Sequence, residues 1–419
     1  MAMLNAILLM DLHWGAIPPE RMHKEIEETL YKHIESLNKL DMIVIGGDLF
    51  DCKQYLSSDV TNYVIKFINE LLELTHSMGT YIYIVKGTRT HDDLQLQTLR
   101  TIFNSDRNNS NVIIIDEVTE MSLLHIGDTS YTTKNGHPLS IWVPTYKGYE
   151  DCIEPDDKLI NILFIPEEYI IDQNEYYKNT LYSKNYDFIF GHGMIDKIWY
   201  ADGDNTSVDK TKHCASPVFK VKDLTNSGKH VYFGHIHIHK KYGNFEYVGP
   251  YTRWEFGKDD PVGYVYIEYD SDTKELYEEF VENKLAQKLT TRILNIQEDI
   301  SLTELNDKID TIISETMTYS EKIRLIANLN SKLPTFQSIR DYLVSKIGNI
   351  KFVKLILSID IPSETIEESK TTIDEQNNKK KYLYGSNMNL EKQIREFLKE
   401  KRGIDISSED IKNILDSCE

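Results

Sequence analysis

Thiols are scarce in this sequence. Its four cysteines (Cys52, Cys152, Cys214 and Cys418) are scattered, with no CxxC pair among them. That argues against a disulfide framework and a thiolate zinc site, and fits a reducing, cytoplasmic compartment. Long apolar runs are missing too. None approaches the roughly 20 residues that span a bilayer, so no membrane partner is expected. The opening stretch MAMLNAILLMDLHWG is apolar but has neither a basic n-region nor a small-residue cleavage site. It reads as a buried first strand and not as a signal peptide. Positive charge is in deficit, with a formal net charge of −20 over 419 residues. Free-standing duplex-DNA binders are usually basic, because neutralising phosphates supplies most of the affinity. The deficit therefore speaks against a simple DNA-binding module. Two routes around it exist: bound divalent cations make a cleft locally positive, or a partner subunit holds the nucleic acid. There is no internal repeat.

What is present is an alternation of short apolar runs with helical stretches. LNAILLM precedes a helix from about Glu20 to Lys39, MIVIGG one from about Ser58 to Met78, and YIYIVKG a short one near Asp93 to Phe103; NVIIID follows. This is an α/β pattern. Later strand-like runs (SIWVPTY, NILFIP, YDFIFGH, HVYFGHIHIH, FEYVGP, GYVYIEYD) predict a second sheet packed on the first, in a domain covering 1–284. Residues 285–361 read as a βαβαβ unit: TTRILNI, a helix opened by a Ser301/Glu304 capping box, EKIRLIANLN, a helix marked by Phe336, Ile339, Leu343 and Ile347, then KFVKLILSI. A polar stretch over 362–388 reads as a flexible linker. Over 389–419 two short helices carry one-sided apolar faces, Leu390, Ile394, Phe397 and Leu398 on the first and Ile411, Ile414 and Leu415 on the second. Tethered apolar faces of this kind predict a partner's groove. The apolar helix from Ser58 to Met78 is a candidate dimer surface, and core packing explains it equally well.

Five short motifs each follow an apolar strand: Asp11 and His13 in DLHWG, Asp48 in GGDLFD, His91 and Asp92 in KGTRTHDD, His192 in GHG, and His235 and His237 in GHIH. Active sites of layered α/β folds collect at the carboxyl ends of strands. Five such ends carrying only Asp and His predict one cluster. Carboxylate and imidazole without thiolate suit hard or borderline divalent ions such as manganese, iron or zinc. Asp11 with His13, and His235 with His237, are spaced i, i+2, so each pair points to one side of an extended chain. Glycines directly before Asp48, His192 and His235 let the backbone turn close to the ions. In a two-ion site one carboxylate bridges ions about 4 Å apart, and Asp48 is the natural candidate. His91 suits a non-ligand that donates to the leaving group or a phosphoryl oxygen, with Asp92 orienting it. The other histidines read as ordinary surface or core residues; only His239 continues the i, i+2 series.

This ordered set resembles the calcineurin-like metallophosphoesterases, and within them the SbcD-type nuclease subunits. That family includes the meiotic recombination nuclease and the recombination endonuclease subunits of large bacteriophages. DLHWG and GGDLFDCK are close to the DxHLG and GGDxFD of these nucleases and unlike the DIHG and GDxxDRG of Ser/Thr phosphatases. The later order, GHG, GHIH, then FEYVGPYTRWEF, is similar as well. The resemblance covers the whole chain. It implies a sandwich of two β-sheets flanked by helices, a small α/β capping domain that binds DNA, and a C-terminal helical pair docking on an SbcC-type coiled-coil ATPase. It further implies a homodimer within a heterotetramer, acting as exonuclease and endonuclease on DNA ends, duplex and single strands in recombination and repair. Two divalent ions are implied, manganese first and magnesium second. Asp11, His13, Asp48 and His237 would bind one, and Asp48, His192 and His235 the other, with His91 the catalytic histidine. One departure stands out. The family's GNHD supplies an asparagine to the second ion, whereas the text here is GTRTHD, longer by two residues, with Thr90 before the histidine. Thr90 is thus a candidate but poorer ligand. High Asn, Ile, Lys and Tyr usage suggests an AT-rich genome, consistent with a phage source. Two other readings stay open. A free-standing phosphatase or nucleotide phosphodiesterase would not need the capping domain or tail, and a non-catalytic scaffold would carry a vestigial metal site.

Overall fold

In chain order the first elements are β1 (Met3–Leu9), α1 (Pro19–Ile26), a π-helical turn (Glu27–Tyr31), α2 (Lys32–Ser36), β2 (Met42–Gly46), α3 (Asp59–Thr75), β3 (Tyr81–Val85), α4 (Arg89–Phe103) and β4 (Val112–Ile115). There follow β5 (Thr119–Ile126), β6 (Ile141–Thr145), β7 (Leu159–Ile165), α5 (Gln173–Tyr176) and β8 (Tyr186–His192). Four short strands come next: β9 (Met194–Ile195), β10 (Lys197–Trp199), β11 (Asn205–Ser207) and β12 (Val218–Phe219). Then come α6 (Val221–Ser227), β13 (Gly228–Gly234), β14 (Lys240–Tyr242), β15 (Phe245–Tyr247), β16 (Gly263–Asp270) and β17 (Leu276–Glu282). The chain continues with β18 (Leu289–Ile296), α7 (Leu302–Met317), β19 (Lys322–Asn330), α8 (Phe336–Ile347) and β20 (Val353–Asp360). The structure, a computed structural model, describes residues 2–103, 111–127, 129, 140–145, 158–168, 170, 172–199, 205–207, 218–256 and 260–360. The expected linker and helical tail, with Leu390, Ile394, Phe397, Leu398, Ile411, Ile414 and Leu415, lie outside the described residues. No helix among the described residues is long and apolar enough to cross a membrane.

The protein is a mixed α/β chain built on two large sheets. One has six strands in the order β17-β16-β1-β2-β3-β4, the other seven in the order β14-β15-β13-β8-β7-β5-β6. In the first sheet β1 to β4 run parallel, and β16 and β17 add antiparallel strands at one side. In the second, β15, β13, β8 and β7 are parallel, with antiparallel strands at both edges. Side-chain alternation explains the layers. Ile7, Leu9, Ile43, Ile45, Ile82 and Ile84 point to a core shared with α1 to α4. Their neighbours Ala6, Leu8, Met42, Val44, Tyr83 and Val85 meet Ile160, Ile162, Phe164, Phe188, Phe190 and Tyr232 of the second sheet in another core. Leu163, Ile165, Ile189, Val231 and Phe233 face a third core with Leu181 and Leu224. Parallel strands buried on both faces read as continuous apolar runs rather than alternating ones, which is why LNAILLM, MIVIG and YIYIV stand out in the sequence. The apolar face of α3 is spent internally: Val64, Phe67, Ile68 and Leu71 are all buried in the core beneath the first sheet. Core packing accounts for it.

The contacts divide the chain into one unit of residues 1–290 with 319–322, and another of 291–318 with 323–419. In the second unit β18, β19 and β20 form a three-stranded sheet and α7 and α8 lie between them in sequence. Ser301 and Glu304 form the expected capping box at the start of α7. Leu305, Ile309, Ile339, Leu343 and Ile347 pack on Ile323, Leu325, Ala327 and Leu329.

A buried polar cluster lies between β15 and β17. Glu246 is 2 % exposed, with Lys241 Nζ and His239 Nδ1 each 3.6 Å from its carboxyl oxygens. Lys241 also pairs with Glu278, which accepts a 2.6 Å hydrogen bond from the Tyr232 hydroxyl. Burial, and then the charge of Glu278, push the Glu246 carboxyl up to about 8. A raised folded-state pKa means the native state holds the proton more tightly. That contribution is complete below the unfolded value of about 4.3 and is lost as pH rises toward 8. Between pH 5 and 8.5 the melting temperature of the wild type should therefore fall by roughly 2–4 °C more than that of Glu246→Gln. Parallel melting curves would count against this account.

Candidate metal centre

Six parallel strands, three from each sheet, end at one place. β1 leads to Asp11 and His13, β2 to Asp48, β3 to Thr88 and His91, β7 to Glu167, β8 ends on His192, and β13 leads to His235 and His237. Their side chains form two groups, Asp11 with His13, Asp48 and His237, and Glu167 with His192 and His235; within each, candidate ligand atoms lie within 4.8 Å of one another. Asp48 Oδ2 stands between the groups, 3.5 Å from His13 Nε2 and 3.5 Å from His192 Nε2. That is the position expected of a bridging carboxylate.

The backbone is bent to reach this arrangement. Asp11, His13, Asp48 and His235 have φ of 48°, 47°, 46° and 94°. Only Lys274 joins them among described non-glycine residues with positive φ. Such residues cost on the order of 1–3 kcal/mol each and gather at functional sites. Asp and His tolerate the left-handed region better than bulkier side chains do. Two glycines allow the close approach. A Cβ on Gly47, at φ +91°, would meet His192 Cδ2 at 2.2 Å, and one on Gly87 would meet the Asp48 backbone nitrogen at 2.1 Å.

Polar atoms converge here without the partners that burial normally demands. His13 Nε2 faces His237 Nε2 at 3.0 Å. His192 is buried among carboxylates, with Nδ1 2.8 Å from Glu167 Oε2 and Nε2 3.1 Å from Asp11 Oδ1. Asp11 Oδ2, His13 Nδ1, His91 Nδ1 and His235 Nδ1 are buried with no hydrogen-bond partner, although His235 Nδ1 is only 3.0 Å from Glu167 Oε2. Burial opposes charging His192, but the charges of Asp48, Asp11 and Glu167 outweigh it and hold the imidazole well above its usual range. Burial likewise raises Glu167 and Asp48, yet the surrounding histidines keep both far below the usual carboxylate range. Carboxylates kept ionised against burial, opposed by ring nitrogens lacking partners, are the donor set a pair of divalent cations would satisfy. Asp51 Oδ1, 3.5 Å from His13 Nδ1, and Glu255 Oε1, 3.8 Å from His237 Nδ1, stand behind the ligand candidates. They occupy the places from which outer carboxylates orient ligand imidazoles.

Several expectations change. Thr90 is exposed on the first turn of α4. α4 begins at Arg89, earlier than the sequence suggested, so the longer loop is absorbed as helix and position 90 turns outward. Thr88 is the residue that reaches the site: its N–H donates to Asp48 Oδ1 at 2.5 Å, and its hydroxyl donates to Asp48 Oδ2 at 3.2 Å and Glu167 Oε2 at 3.3 Å. Asp92 is fully buried but does not orient His91. Its two oxygens accept from the Gly87 N–H at 2.8 Å and the Phe50 N–H at 3.2 Å, tying the loop of Asp48 to that of Thr88. Burial, and then the nearby Asp48 charge, push Asp92 up to about 7. His91 stands edge-on to His13, with ring centroids 4.9 Å apart, and belongs to neither ligand group. The chain bends after Gly234, so His235 and His237 fall into different groups instead of sharing one side of a strand. His239 lies away from both groups, 3.3 Å from the Val248 carbonyl and packed on Phe280.

Glu167 was missed. Its signal was present, since it follows the apolar strand NILFI as the other site residues follow theirs, but Pro166 and Glu168 around it give no motif. Thr90→Ala should leave manganese affinity unchanged, while Thr88→Ala should weaken it by about 10- to 100-fold, as loss of an outer-shell hydrogen bond does. Calorimetric titration measures both, and equal weakening would return Thr90 to the site. The chain matches no protein-family model and no curated protein.

Proposed function

We propose that the chain is a metal-dependent phosphodiesterase acting on DNA, a nuclease subunit of the calcineurin-like class. The observation that carries this reading is the convergence of six strand ends from two sheets. It places Asp11, His13, Asp48 and His237 beside Glu167, His192 and His235, with Asp48 between the groups and His91 outside them. The two groups would hold two divalent ions, manganese foremost, and such a pair supplies an activated water and neutralises charge on the phosphate. The protein's own part is to hold the ligands in bent backbone, to keep Asp11, Asp48 and Glu167 ionised, and to present His91 as a proton donor within reach of the same space. The two-sheet core with helices on its outer faces supports a calcineurin-like sandwich. The three-stranded second unit is of the kind expected of a capping domain.

DNA is preferred over small phosphomonoesters because of the DLHWG and GGDLFD motifs and the added βαβαβ unit. With a net charge of −20, we infer that long duplex is held with help from a partner. That partner would be an SbcC-type ATPase, docked on the apolar residues of the helices that the sequence predicts over 389–419, in an assembly with two copies of this chain. The deciding experiment offers linear duplex DNA, single strands, p-nitrophenyl phosphate and cyclic nucleotides to the full chain with manganese, with and without the ATPase. Manganese-dependent DNA degradation stimulated by the ATPase and ATP is the expected result. Turnover of the small esters alone would favour the free-standing phosphatase, and no turnover of any substrate with metal absent from the purified protein would favour a scaffold.

A further inference from the structure

The three-stranded sheet of the second unit buries one face and leaves the other open. Along β19, Ile323, Leu325, Ala327 and Leu329 are buried in the core shared with α7 and α8. The residues between them point to the opposite side. There Arg324 pairs with Lys354 of β20, and Ile326 with Ile356. On the other flank Arg324 donates to Thr291 Oγ1 at 3.0 Å and Asn328 to Asn295 Oδ1 at 2.7 Å, which sets Ile293 of β18 beside Ile326. Three isoleucines thus form a row across all three strands, with Ile293 59 % and Ile356 38 % exposed. Arg324 and Lys354 make a basic row beside it, and no described side chain on this side of the three strands is a carboxylate. In a chain of net charge −20, an apolar row with a basic border suits an acidic amphipathic segment.

The chain carries such a segment. β20 is an edge strand of this sheet, and residues 361–419 follow it directly. The helix that the sequence predicts near Ser408 to Ser417 bears Ile411, Ile414 and Leu415 on one face. Around them stand Asp405, Glu409, Asp410, Asp416 and Glu419, with Lys412 as the single cation. The helix predicted before it mixes Lys392, Arg395 and Lys399 with Glu391, Glu396 and Glu400 and has no such bias. The dimensions agree. The isoleucine row spans about 10 Å, two strand spacings, and Ile411 and Leu415 lie about 6 Å apart along a helix axis. A flexible stretch from Asp360 to Ser408 reaches roughly 35–40 Å, and tethering raises the local concentration of a weak binder to the order of a millimolar.

We propose that the open sheet face is the docking site of the chain's own segment 408–417, with Ile411, Ile414 and Leu415 on the isoleucine row and the carboxylates toward Arg324 and Lys354. The same apolar residues are expected to meet the ATPase, so the two dockings exclude each other, and the sheet holds the segment in the chain without its partner. Covering the sheet does not depend on the nuclease chemistry.

The test is amide hydrogen exchange on the full chain. Residues 408–417 should exchange at least about tenfold more slowly than the same residues in an unstructured peptide. Ile293→Glu should return them to the peptide's rates while α7 and α8 keep theirs, since the side chain is exposed and outside the core. Lys354→Glu, at an exposed position, should speed their exchange by roughly 1.5- to 5-fold. Peptide-like rates in the wild type overturn the proposal. Slow exchange that neither variant changes overturns it as well, because the segment then docks elsewhere. DNA cleavage and ATPase binding are read separately on the same protein. Their absence would sink the nuclease reading and leave the exchange result to decide the docking.

Discussion

Replacing His91 by alanine should lower DNA hydrolysis by about 10²–10⁴-fold, the usual contribution of a positioned proton donor, and leave the manganese content of the protein unchanged. The split follows from geometry. His91 belongs to neither ligand group, yet it stands edge-on to His13 and its Nδ1 is buried without a partner. An imidazole packed edge-on against His13, with a buried nitrogen that has no hydrogen-bond partner, is available to act on whatever the site holds. Metal analysis and single-turnover cleavage on the same preparation separate the two effects. Loss of an ion from His91→Ala would make it a ligand and reverse the role assigned to it.

On the proposed two-ion site, Glu167→Gln should take the bound manganese from two ions per chain toward one, with the group of Asp11, His13, Asp48 and His237 retaining its ion. In the resembling family a neutral amide serves the second ion. Here a carboxylate lies 2.8 Å from His192 and 3.0 Å from His235, and it is kept ionised although it is only 1 % exposed. An anion in that place offsets the poorer ligand that threonine would make. Glutamine keeps the shape and removes the charge, so the variant tests charge and not packing. Metal stoichiometry is one readout. The other is the electron paramagnetic signal of coupled manganese pairs, which should give way to that of isolated ions. Two tightly held ions in Glu167→Gln would show that the carboxylate is dispensable. Asp48→Asn, which weakens the anion lying between both groups, should by contrast disturb both ions.

Much of this was readable from local pattern. Fully buried parallel strands announce themselves as unbroken apolar runs, so β1, β2, β3, β7 and β8 could be found, and each carries a polar residue at or just beyond its carboxyl end. β5 and β17 were not found. Thr119–Ile126 and Leu276–Glu282 mix polar and apolar residues, and their burial follows from their sheet partners and not from their own composition. The capping box of α7 was visible because its hydrogen bonds join residues three apart.

The sequence by itself determined five of the six strand ends that meet at the site, all but that of β7, because a strand's apolar run and the polar residue after it are neighbours in the chain. Only the tertiary structure decided how those ends are shared out. Glu167 stands beside His192 because β7 and β8 pair in register, Ile165 against Gly191. His235 parts from His237 because the chain bends where β13 ends. Thr88 replaces Thr90 because the helix starts early and turns position 90 to solvent. Trp254 comes against His13 because the segment after β15 passes β1, with Met10 bridged to Pro250. Each is a meeting of residues distant in sequence or a choice of helix start, and the packing of the two sheets, not the spacing of letters, sets which atoms meet.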